Sequence, residues 1–66
     1  MQIHVNGEPK QVSNGLSLGA LLAELGLKVE AVAVALNLNV VPRSQLAERV
    51  LADGDRVEVV RAVGGG

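Results

Sequence analysis

The sequence predicts an α+β domain: a mixed five-stranded sheet with one main helix packed on one face. Three observations carry this expectation. Apolar and polar residues alternate at a period of two in separate segments near the start, the middle and the end of the chain. Between the first and second of these lies one stretch with leucines at helical spacing. Turn dipeptides rich in Asn, Asp and Gly separate the segments. The chain has 66 residues, which sets a single domain, with residues 1–62 as its body.

The elements follow in order. Ile3 and Val5 alternate with Gln2, His4 and Asn6, as in a half-buried strand. Asn6-Gly7 is a hairpin dipeptide because both residues tolerate positive φ. Pro9 to Ser13 reads as the returning strand, and Pro9, which has no N–H to donate, puts it at an edge. After the break at Asn14-Gly15, Ser17 is the expected N-cap of a helix, with Leu16 and Leu21 placed to staple its start. Leu18, Leu21, Leu22 and Leu25 recur at i, i+3, i+4 and i+7 and form its apolar stripe. Gly26 follows as a stop. A helix this short does not persist alone, so it must lie on a sheet.

Val32 to Asn37 reads as a strand with Val32, Val34 and Leu36 on one face and small alanines on the other, where something could pack closely. Leu38-Asn39 is the expected turn, and Val40-Val41 a short strand ended by Pro42. Residues 43–51 fit neither period well and read as one helical turn followed by irregular chain. Asp53-Gly54-Asp55 is a turn. Arg56 to Ala62 is the last strand, with Val57 and Val59 inward and Glu58, Val60 and Ala62 outward. A hairpin, then a helix, then further strands ask for a crossover on one face of a mixed sheet. Five strands and one helix in this order describe a β-grasp roll, with the first and last strands as central, parallel neighbours.

The inventory excludes most chemistry. There is no Cys, one His, and no Phe, Trp or Tyr, so thiol catalysis, an imidazole-built metal site and stacking on a base or flavin are all absent. Six basic and seven acidic residues are interspersed, giving a net charge of −1 and no basic footprint for nucleic acid. No apolar run is long enough to span a bilayer and no basic-then-apolar leader opens the sequence, which points to the cytoplasm rather than a membrane. Ser13, Ser17, Ser44, Lys10 and Lys28 are the available nucleophiles, and none is matched to His4 and an acid as a catalytic set requires. Gly15 and Gly19 lack the spacing of a phosphate-cradling loop, so any ATP must be held by a partner. Asp53 and Asp55 read as turn formers, without the further oxygen ligands a cation would need.

One feature does carry chemistry. The sequence finishes Ala62-Val63-Gly64-Gly65-Gly66, and residues 63–66 are expected to be a flexible glycine tail. Glycine has no Cβ, so such a tail enters a channel too narrow for other residues, and three extended residues reach about 10 Å. The carboxylate of Gly66 is the chemical handle. A carboxylate resists nucleophilic attack because its leaving group would be an oxide, and adenylation removes that obstacle. An outward apolar patch of Val60 and Ala62, running into Val63, is the expected docking surface. Arg61 and Arg56 are either rim charges of that surface or plain solvated charges, and His4 receives no role.

The opening Met1-Gln2-Ile3-His4-Val5-Asn6-Gly7, the segment Ala35-Leu36-Asn37-Leu38-Asn39-Val40-Val41-Pro42-Arg43, the Asp53-Gly54-Asp55 turn and the Gly65-Gly66 ending together resemble the ThiS family, ubiquitin-like β-grasp sulfur carriers of thiamin biosynthesis. The resemblance covers the whole chain; Gly64 adds a third glycine to the usual pair. It implies a carrier that catalyses nothing and binds no cofactor. A ThiF-type adenylyltransferase would use ATP and Mg²⁺ to adenylate Gly66. Sulfur from a cysteine-desulfurase persulfide would then leave a thiocarboxylate, and ThiG, thiazole synthase, would take that sulfur. Val63, Gly64 and Gly65 would be the partner-binding tail, and Val60, Ala62 and Arg61 the partner-binding surface. Two alternatives share much of the pattern: a carrier for another pathway, similar to the small subunit of molybdopterin synthase, and a β-grasp interaction module with an inert tail.

Overall fold

The computed structural model describes residues 1–61. Its sheet contains β1 (Gln2–Val5), β2 (Glu8–Gln11), β3 (Val32–Leu36), β4 (Asn39–Val41) and β5 (Arg56–Arg61), and the helix α1 is Leu18–Glu24. The strands lie in the order β2-β1-β5-β3-β4. β1 and β5 run parallel side by side, and every other neighbouring pair is antiparallel. The mixed sheet and its central parallel pair are those the alternation predicts.

The period-two pattern sends Ile3, Val32, Val34, Leu36, Val41 and Val57 to one face, where they are buried with Leu18, Leu21 and Leu22 of α1. The core is wholly aliphatic and contains no buried polar residue among those described. Ser17 caps α1, its Oγ accepting from the Ala20 N–H at 3.1 Å, and Leu16 packs against the core beside it.

The helix ends one residue before Leu25, which the leucine spacing placed in the buried stripe. Gly26 takes a φ of +74°, its N–H donates to the Ala23 carbonyl at 3.1 Å, and the Leu27 N–H donates to the Leu22 carbonyl at 2.9 Å. This pattern of reaching back closes the helix with a left-handed residue at C′. It carries Leu25 to the surface, where it is 36% exposed, and turns Leu27 in against the core instead.

The second hairpin also differs from the expectation by one residue. Asn37 and Leu38, rather than Leu38 and Asn39, form the turn, with φ of +51° and +73°. Leu36 pairs with Asn39 across it. A branched residue is disfavoured in left-handed backbone, but Asn37 is tied to β5 by its main chain and its side chain, and Leu38 must complete the reversal.

Residues 43–51 begin with the expected helical turn, a 3-10 turn at Arg43–Gln45. Leu46 and Leu51 then plug the core from this segment. Backbone bonds strap it to the start of α1: Leu18 N–H to Arg49 O at 2.9 Å, Gly19 N–H to Leu46 O at 3.0 Å and Leu51 N–H to Leu16 O at 2.8 Å. The approach explains a glycine inside a helix, because a Cβ on Gly19 would lie 3.2 Å from the Ala47 Cα. A further 3-10 turn at Val29–Ala31, which the sequence reading does not contain, leads into β3. Among the described residues no helix is long and apolar enough to cross a membrane.

Candidate functional site

β5 is the strand that leads into the glycine segment, and it is central in the sheet. Successive side chains on a strand point to opposite faces. Val57 is buried and Val59 half-buried on the helix side, while Arg56, Glu58 and Val60 occupy the open side and are exposed. Val60 is 64% exposed, as an outward residue of the last strand should be.

Its surroundings come from the register. Val60 lies opposite Ala33, and Glu58 opposite Ala35; Ala35 in turn lies opposite Val40. The open face thus carries Val60, Ala33, Ala35 and Val40, with Val40 77% exposed. The alanines of β3 leave this strip low, so a partner surface can approach the backbone. Leu38, 86% exposed, projects from the adjoining hairpin. The sequence reading noted the alanines as room for close packing; the register that joins them to Val60 and Val40 is long-range and lies beyond any local pattern.

Arg61 is exposed, but it faces the other way. It lies opposite Val32, whose side chain is in the core, so it belongs to the helix side of the sheet edge. Val60 and Arg61 are neighbours in sequence and not on one face. Arg56 is on the open face beside His4. With Asn6, Gly7, Val57 and Glu58 these two line an open depression; the His4 Nδ1 is buried without a hydrogen-bond partner. Ala62, Val63, Gly64, Gly65 and Gly66, the remaining residues of the expected surface and tail, lie outside the described residues.

The start of β5 is held by side chains to which the sequence reading gave other places, Asn37 at the end of a strand and Asp53 and Asp55 as turn formers. Asn37 Oδ1 accepts from the Arg56 N–H at 3.0 Å, and Asn37 Nδ2 donates to Asp55 Oδ1 at 3.0 Å. Asp55 Oδ2 closes its own turn by accepting from the Ala52 N–H at 2.8 Å. Asp53 Oδ1 accepts from the Gln2 N–H at 2.8 Å. Both aspartates are therefore occupied, Asp53 in tying the turn to β1 and Asp55 in tying it to the hairpin turn between β3 and β4. Among the described residues no cluster of three His, Cys, Asp or Glu side chains is placed to hold a metal ion.

The ThiS family model matches residues 3–66, nearly the full length. The chain belongs to the ThiS family. It is 33% identical to the sulfur carrier protein ThiS of Escherichia coli K12 over 66 residues, covering 100% of both chains. It is 42% identical over 66 residues to a thiazole synthase of Paramagnetospirillum magneticum, and there it spans only 20% of that protein's length. The crystal structure of the thiamine biosynthesis protein ThiS from Geobacter metallireducens superposes with a TM-score of 0.87 at 36% identity, covering 100% of each chain. Membership of this family fits the β-grasp arrangement of the described residues.

Proposed function

We propose that this protein is a sulfur carrier of thiamin biosynthesis whose reactive group is the carboxyl of Gly66. The observation that carries the reading is the placement of β5: the central strand of the sheet runs directly, in sequence, into Ala62-Val63-Gly64-Gly65-Gly66, with an exposed apolar strip beside its end. A body of this kind docks on an enzyme while a narrow arm reaches that enzyme's reaction centre.

The chemistry begins on the ionised carboxylate, whose unperturbed pKa is about 3.3–3.7. One of its oxygens attacks the α-phosphorus of ATP held by a ThiF-type adenylyltransferase with Mg²⁺, and pyrophosphate leaves. The acyl adenylate then has AMP as its leaving group. The terminal sulfur of a persulfide supplied by a cysteine desulfurase attacks the acyl carbon and displaces AMP. A second thiol attacks the cysteine-side sulfur of the resulting acyl disulfide, forming a new disulfide with it and releasing the thiocarboxylate on Gly66. The likeness to a thiazole synthase over one fifth of that protein's length supports thiazole synthase as the acceptor of this sulfur. A cytoplasmic setting belongs to the same reading. Because the carrier's sulfur sits on a carboxyl group, the protein needs no cysteine, and it has none.

The test is ATP-dependent pyrophosphate release by a ThiF-type adenylyltransferase presented with this protein. The intact chain should support release. A chain lacking Gly66, and one extended by a tag after Gly66, should not. Undiminished release with the extended chain would remove the carboxyl of Gly66 from the mechanism.

A further inference from the structure

β1 ends at Val5, but the hydrogen bonding that β1 offers to β5 does not end there. The Asn6 N–H donates to the Val57 carbonyl at 2.8 Å. Beyond it, Asn6 Oδ1 accepts from the Val59 N–H at 2.8 Å, and Asn6 Nδ2 donates to the Val59 carbonyl at 3.3 Å. A carboxamide has the same acceptor and donor as a peptide group, so this side chain stands in for the strand residue that the turn has taken away. The main chain of Asn6 can already be reversing, at a φ of +51°, while its side chain still pairs with Val59.

Val59 lies two residues before Arg61, the last described residue of β5. Among the described residues, past Val57 only this carboxamide holds the β1 side of the strand, and β3 holds the other side through Val60–Ala33 and Arg61–Val32. At the opposite end of β5, Asn37, also at a φ of +51°, holds Arg56 with its main-chain N–H on the carbonyl and its Oδ1 on the N–H, while its Nδ2 donates to Asp55 Oδ1. β5 thus has a carboxamide on its backbone near each end, at Arg56 and at Val59.

We propose that Asn6 is a positioning residue for the transfer reaction: by clamping Val59 it fixes where, relative to the docking face, β5 hands the chain over to the glycine segment. The proposal rests on the sulfur-carrier reading. A partner that grips the open face and also threads the arm needs the two to agree. Without the two bonds from Asn6, the Val59 peptide groups that face β1 lose their partners, and the end of β5 is free to shift relative to that face. Displacements of about 1 Å at a reacting group already cost up to about a hundredfold in rate.

The experiment compares Asn6→Gly with Asn37→Gly as substrates of a ThiF-type adenylyltransferase, reading kcat and KM from pyrophosphate release. Glycine keeps the left-handed turn in each case and deletes the side-chain bonds to β5, both of those to Val59 at Asn6 and the one from the Arg56 N–H at Asn37. The expected result is a kcat about tenfold lower for Asn6→Gly, with KM within about twofold because Val60, Ala33, Ala35 and Val40 are untouched. Asn37→Gly should stay within about twofold of the unsubstituted protein in both constants. Asn6→Asp keeps the acceptor for the Val59 N–H but loses the donor to its carbonyl, and should fall between. If Asn6→Gly does not fold, Asn6→Asp against Asn37→Gly makes the comparison. Equal losses at the two positions, an unchanged kcat for Asn6→Gly, or a change confined to KM would each overturn the assignment. Failure of the unsubstituted protein to support release would overturn the carrier reading and this role with it.

Discussion

Val59→Asp and Val60→Asp differ by one position on one strand and should have opposite consequences. Val59 is half-buried and packs against the core, whereas Val60 is 64% exposed and faces open solvent. A domain of this size is held by about 3–10 kcal/mol, at roughly 0.05–0.15 kcal/mol per residue. Removing the buried part of Val59 and desolvating a carboxylate there costs several kcal/mol on the order of that total, so Val59→Asp should be largely unfolded or strongly destabilised. At Val60 the loss is limited to strand preference, up to about 1 kcal/mol, and to repulsion from Glu58 on the same face. At about 4–8 °C per kcal/mol for a domain this small, Tm should fall by no more than about 8 °C. Docking is another matter. Full burial of a valine contributes about 1.5–3 kcal/mol, and about two-thirds of this remains to be gained at Val60. Its loss alone weakens partner affinity by roughly five- to thirtyfold, and the desolvation of a new carboxylate adds to that. Thermal melting by circular dichroism and the KM for activation by a ThiF-type adenylyltransferase read the two effects separately. A Val60→Asp protein that melts as early as Val59→Asp would refute the strand facing. One that folds and docks with unchanged KM would refute the docking surface.

Other outcomes follow from the same packing. Leu21→Ala removes a fully buried side chain beneath the sheet and should lower stability by about 2–5 kcal/mol in urea denaturation. Ser17→Ala deletes the cap on the Ala20 N–H and should cost about 1 kcal/mol by the same measurement. Gly19→Val drives a side chain into the Ala47 backbone and should destabilise by about 1–3 kcal/mol, in contrast to the gain a glycine replacement gives in an open helix. Gly65→Val should leave the melting temperature unchanged and strongly reduce activation, as judged by pyrophosphate release.

The elements that local pattern could reveal were those whose residues contact the core at a regular period. β1, β3 and β5 show their alternation because one face of each is buried, and α1 shows its start because Ser17 and Leu16 act within one turn of it. The leucine period overran the helix at Leu25, since periodicity does not register where a left-handed glycine stops the chain; Gly26 carried that signal and Leu27 the apolar contact. The turn at Asn37-Leu38 was shifted by one because the bonds that fix it run to Arg56 and Asp55, far away in sequence. Residues 43–51 showed neither period because they are held by backbone bonds to α1 rather than by a regular face of their own. At the site, alternation was enough to turn Val60 outward and, applied one residue further, separates Arg61 from it. Ala33, Ala35 and Val40 join Val60 only through strand register, and the grip of Asn6 on Val59 was hidden behind the dipeptide Asn6-Gly7, which already had a sufficient local explanation.

The most direct measurement of the sulfur-carrier reading is the intact mass and C-terminal fragmentation spectrum of the protein recovered from cells with active sulfur metabolism. A sulfur carrier should contain a fraction in which one oxygen of the Gly66 carboxyl is replaced by sulfur, and that fraction should disappear when the adenylyltransferase is removed. A carboxyl that stays fully oxygenated in those cells, or sulfur found on any other residue, would contradict it.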